Sequence, residues 1–81
     1  MKAKEIRRLA GAHQTSELLE AIEAVTEEER EVLDVVGDDL GERLTHLLLA
    51  SRIRARMDDG DSLKDAFRAE MSEVRGVLAN D

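Results

Sequence analysis

Apolar residues recur every three or four positions along almost the whole chain, with charged residues filling the gaps. That period belongs to successive amphipathic helices rather than to strands. Near the start, Ala3, Ile6, Leu9 and Ala10 share one face, which predicts a short helix over residues 3–10 broken by Gly11. Thr15 or Ser16 then stands where a side-chain oxygen can cap a second helix. Its stripe is Leu18, Ala21, Ile22 and Val25, and Glu17, Glu20 and Glu23 fall outside it.

The segment VTEEEREVLDVVGDDLGERL, residues 25–44, carries a further set of start signals. Thr26 and Glu29 have the spacing of a capping box, so another helix is predicted to begin there. Its first turn would place Glu27, Glu28 and Glu29 at the positive end of the dipole, and Val32, Leu33, Val35 and Val36 would form its buried side. Gly37 ends or bends that helix. Asp38 or Asp39 is positioned to cap the next one, with Glu42 three residues beyond Asp39.

Residues 40–57, LGERLTHLLLASRIRARM, hold more apolar side chains than one stripe uses. At about 100° per residue, Leu40, Leu44, Leu47, Leu48 and Ala55 gather on one side, while Leu49, Ile53 and Met57 line up on another. Two apolar faces need two neighbours. The first is assigned to the chain's own core. The second, Leu49, Ile53 and Met57 flanked by Arg52 and Arg56, is assigned to a dimer or partner-protein surface, the alternative being a central helix covered entirely from within. Gly60 suits the left-handed position after this rod. Asp61 or Ser62 then caps a last helix that turns Leu63, Ala66, Phe67, Met71, Val74, Val77 and Leu78 inward.

These elements describe an all-α chain: a small bundle of four to five helices built from helical hairpins, forming one domain over residues 1–81. The composition agrees, since the chain has no Pro and only five Gly to interrupt helices. It also thins the core, because Phe67 is the only aromatic residue and ten of the hydrophobic residues are Ala. A second copy would add buried area at no cost in sequence, so a homodimer or a complex with another protein is expected.

Charge narrows the choice of partner. Residues 1–16 sum to +3, residues 17–42 carry eleven acids against Arg30, and the remainder is balanced, giving −7 in all. An acidic belt of that density repels a phosphate backbone and disfavours nucleic acid as a partner. No apolar run approaches the roughly 18 residues of a membrane span, and MKAKEIRRLAGAHQ has no signal-peptide core. A cytoplasmic protein without a membrane partner is expected.

The segment VTEEEREVLDVV resembles the first helix of the DNA-binding domains of LuxR-type response regulators and of sigma-factor region 4. The resemblance implies a helix-turn-helix, in which a scaffold helix, a turn and a recognition helix should follow. From Leu44 to Met57 there is neither Gly nor Pro nor a capping cluster to make that turn, so the two would be fused and the likeness stops at Val36. MKAKEIRRL resembles the start of a small helical-hairpin protein of the bacterial large ribosomal subunit, a role that implies a basic surface the acidic belt denies. Asp61-Ser62-Leu63 is similar to the attachment site of acyl carrier proteins, which place two helices after the serine where this chain has room for one.

Little else suggests chemistry. Without Cys there is no thiolate nucleophile, and His13 and His46 lack the spacing of helical metal sites. The DDGDS run puts Leu63 where a calcium loop needs an oxygen ligand. No catalytic residue, cofactor or metal is therefore expected, and the chain is not expected to be an enzyme. The function class left is a small acidic helical interaction or regulatory module, with a transcription regulator bearing a degenerate helix-turn-helix as the alternative.

Overall fold

Four helices form: α1 (Ala3–Ala12), α2 (Thr15–Glu28), α3 (Leu40–Asp58) and α4 (Leu63–Ala79), with no strand among the described residues. The structure, a computed structural model, describes the backbone of residues 1–79 and the side chains of residues 1–75. The inward placement expected of Val77 and Leu78 lies outside those side chains.

Helix α1 continues through Gly11 to Ala12 and ends where His13 turns extended. It buries Ile6, Leu9 and Ala10 and, unexpectedly, Glu5. Helix α2 starts at Thr15 with Gln14 as its cap residue, and the Glu17 carboxylate accepts the Gln14 amide at 3.0 Å. The Thr15 hydroxyl, expected as a cap, instead donates to Asp58 at the far end of α3, 2.9 Å away.

The helix expected from Thr26 does not form. Thr26 lies inside the last turn of α2, where its hydroxyl donates back to the carbonyls of Ile22 and Glu23, and residues 29–39 are a loop. The stripe Leu18, Ala21, Val25 continues without a breaker, so the T-x-x-E spacing is absorbed into a helix already running. Glu27 and Glu28 consequently sit at the negative end of the α2 dipole, the opposite of the expected placement, where they disfavour another turn. Glu29 closes the helix in the left-handed region at φ 53°.

Asp39 caps α3, its carboxylate accepting the Glu42 amide at 2.8 Å. At the other end Gly60, at φ 114°, carries the reversal: its amide donates to the Met57 carbonyl and the Asp61 amide to the Arg56 carbonyl, the paired bonds of a Schellman motif. Ser62 caps α4 by accepting the Asp65 amide at 3.1 Å.

Helix α3 is the centre, with α1, α2 and α4 all packed on it and α1 also touching α4. One apolar cluster joins all four helices and takes in Val35 from the loop. The exposed surface, 5194 Å² for 9.0 kDa, is near the roughly 4,900 Å² of an ordinary folded monomer. A single copy therefore closes its own core.

Candidate interaction surfaces

The expected anchors on α3 are not at the surface. Ile53 is fully buried, Leu49 nearly so, and Met57 is partly buried against the core. Of the stripe assigned to the interior, Leu47 is buried and Leu44 half-buried, whereas Leu40, Leu48 and Ala55 are exposed. The assignment of faces is thus corrected: with helices on several sides of α3, the Leu49–Ile53–Met57 line is covered from within, and part of the broader stripe is left to solvent. Arg52 and Arg56 do not flank an open anchor either. Both reach across to α4, where Arg52 Nε lies 2.5 Å and Arg56 Nε 3.2 Å from the two oxygens of the buried Glu70, and Glu73 completes the cluster. Glu70 Oε1 meets Arg52 as a charge contact without a directed hydrogen bond. The Glu70 carboxylate raises the Arg56 pKa.

The loop between α2 and α3 is the feature that periodicity misread, and it is held from two sides by side chains. From α1, Arg8 donates to the Asp34 carbonyl at 2.8 Å and Glu5 accepts the Val36 amide at 2.7 Å. From α3, Arg43 donates to the Gly37 carbonyl at 2.8 Å and pairs with Glu31, while Glu42 accepts the Asp38 amide at 2.9 Å. The fully buried His46 joins both sides. The Lys2 amide can only donate, so Nε2 accepts it at 3.0 Å; the proton is then on Nδ1, which donates to the Val36 carbonyl at 2.8 Å.

The electrostatics of this knot follow from its geometry. Glu42 takes the Asp38 amide, the Lys2 ammonium and the N-terminal ammonium, which together push its pKa down to about 2. The Arg8 pair lowers the Glu5 pKa, burial opposing and the Val36 amide assisting. Both carboxylates are charged anchors for loop backbone.

Held in this way, the loop turns Val35 inward but leaves Val32 and Val36 about half exposed, at 46% and 54%. Val32 shares its hollow with Asp34 and the Glu31–Arg43 pair, and a separate hollow at the end of α2, which leads into the loop, is lined by Glu20, Glu23, Glu27 and the Glu28–Arg30 pair.

A second surface lies between α1 and α4. Leu63 and Phe67 floor a groove of about 490 Å³ whose rim is Arg7, Lys64 and Arg68, with the Arg7 guanidinium 5.0 Å from the centre of the Phe67 ring. Among the described residues these three bases take part in no ion pair, unlike Lys2, Arg8, Arg43, Arg52, Arg54 and Arg56.

The fold defines an all-helical chain with a three-sided central helix and a pinned acidic loop. The chain belongs to the family described as a family of unknown function (DUF6952), whose model matches residues 1–79. No curated protein and no solved structure matches it. The helix-turn-helix likeness is not realised, because eight of the twelve residues of VTEEEREVLDVV are loop rather than helix. Among the described residues no group of His, Asp and Glu is arranged to hold a metal, and no helix is long and apolar enough to cross a membrane.

Proposed function

We propose that this protein is a non-catalytic protein-protein interaction module whose docking element is the loop of residues 29–39. One observation carries the reading: a loop fixed by Glu5, Arg8, Glu42, Arg43 and His46 holds Val32 and Val36 out to solvent. Ordering such a segment costs about 1–2 kcal/mol per residue in backbone entropy, and Val35 and Leu33 alone return apolar burial for it. A preordered element has already met part of the entropic cost of binding, which is the physical benefit of fixing it in advance. Asp34 beside Val32, with Glu20, Glu23 and Glu27 at the end of α2, favours a partner surface that is apolar at its centre and basic at its edge.

The test compares the native protein, immobilised, with a Val32→Asp, Val36→Asp variant of unchanged circular dichroism and melting temperature. The native protein should retain a bound protein, itself or another, and the variant should lose it. Equal retention by both would overturn the reading. Retardation of duplex DNA at low salt would favour the transcription-regulator alternative instead.

A further inference from the structure

The two surfaces are complementary to one another. The loop side is an exposed valine in the loop that follows the acidic end of α2: Glu20, Glu23 and Glu27 take part in no ion pair among the described residues, and the negative end of the helix dipole adds to them. The groove side is an apolar floor inside a basic rim, beside the first turn of α4, where the dipole has the opposite sign. Neither can satisfy the other within one copy, because α1 stands between them. It turns Glu5 and Arg8 toward the loop, and it meets α4 through Arg7 over Phe67.

We propose that the α1/α4 groove is a docking site for a second copy of this chain, receiving Val32 and the acidic end of α2 from its neighbour. The inference rests on the reading of the loop as a docking element and adds the identity of the partner and of its receiving surface. Val32 enters the hollow over Leu63 and Phe67. The neighbour's Glu27 and Asp34 meet Arg7, Lys64 and Arg68, the rim bases that take part in no ion pair among the described residues. Each copy offers one loop and one groove, so association either closes reciprocally into a two-fold pair or runs head to tail into a ring or a short chain. Charge complementarity sets the partner. A nucleic acid or an anionic membrane would meet the same basic rim but would be repelled by the acidic belt that a second copy uses.

The experiment is sedimentation velocity of the full chain over a wide concentration range, at low and high salt. The native protein should exceed the monomer mass at high concentration and return toward monomer as salt screens the contact. A loop variant, Val32→Asp, and a groove variant, Lys64→Glu with Arg68→Glu, should each weaken association about tenfold or more. Mixed in equal amounts, the two should recover a one-to-one complex, because the groove variant keeps its loop and the loop variant keeps its groove. Circular dichroism of each variant confirms that it is folded.

A native protein that stays monomeric throughout, or a mixture that fails to pair, would overturn the proposal. So would a groove variant that associates as the native protein does. Association lost in the loop variant but kept in the groove variant would overturn the groove as the receiving surface and leave the loop reading intact. If the loop variant also associates and retains partners as the native chain does, both fall together.

Discussion

Gly37 and Glu29 show how much depends on single backbone positions around the loop. A Cβ on Gly37 would stand 2.5 Å from Arg43 Cγ and 3.1 Å from the Arg43 amide nitrogen, so only glycine lets the loop pass this close to α3. Gly37→Ala should displace Arg43 from the Gly37 carbonyl and lower stability by about 1–2 kcal/mol in a urea titration. Glu29 raises the opposite case. It holds a left-handed φ of 53° with a side chain that makes such a φ costly. Glu29→Gly should stabilise the fold by about 0.5 kcal/mol by the same measurement. At His46 the imidazole serves as acceptor for Lys2 and donor for Val36, so His46→Leu strands two backbone groups and should cost about 2–3 kcal/mol. The sequence displays all three residues, but nothing local marks what each touches. Lys2 is 44 positions from His46 and Val36 is ten.

Helix α3 carries the clearest lesson at the scale of elements. Its apolar excess was legible, and so was the choice it posed between a partner and a wholly internal rod. The structure takes the internal option for Leu49 and Ile53, because three helices rather than two pack on α3. Leu49→Asp with Ile53→Asp should therefore unfold the chain rather than release a monomer. Two carboxylates placed in the core exceed the roughly 5–15 kcal/mol that holds a small domain together, and loss of helical circular dichroism at room temperature would show it. The tie between α3 and α4 behaves differently. Replacing the buried Glu70 by Met should leave the melting temperature unchanged or higher, since it removes a desolvated charge. Arg52→Ala with Arg56→Ala should lower stability by about 3 kcal/mol, because it strands that charge. The loop was not legible at this scale because its start signals were genuine ones in the wrong place. The hint lay in the β-branched run Val32, Val35 and Val36, poor in helix propensity, and in the stripe Leu18, Ala21 and Val25 that reaches Thr26 with no breaker before it.

For the whole molecule, acid should be the sensitive variable. Glu42 has a folded pKa of about 2 against 4.5 for the unconstrained group, so its contribution is fully present above pH 4.5, declines as pH falls from there toward 2, and is gone below. The Glu5 pKa is shifted in the same direction, so the two losses reinforce one another. Melting temperature followed by circular dichroism should fall across that window, and Glu42→Gln should flatten the fall while starting from a lower value at pH 7. Both carboxylates hold the loop, so acid should loosen residues 29–39 before the helical core, and backbone amide exchange would resolve that order.

The sequence by itself determined the helical class, the starts of all four helices to within a residue or two, the Gly60 reversal and the uneven spread of charge. Each of these is written in short-range spacing, in which a cap, a breaker or a periodic stripe is read over a few neighbours. Only the tertiary structure decided which faces of α3 are covered, that residues 29–39 are a pinned loop, and that Arg7, Lys64 and Arg68, in no ion pair among the described residues, border Phe67. Those outcomes depend on contacts between residues ten to more than forty positions apart. Local periodicity holds no record of such contacts, because it fixes the face on which a side chain lies and not which neighbour, if any, arrives to cover it.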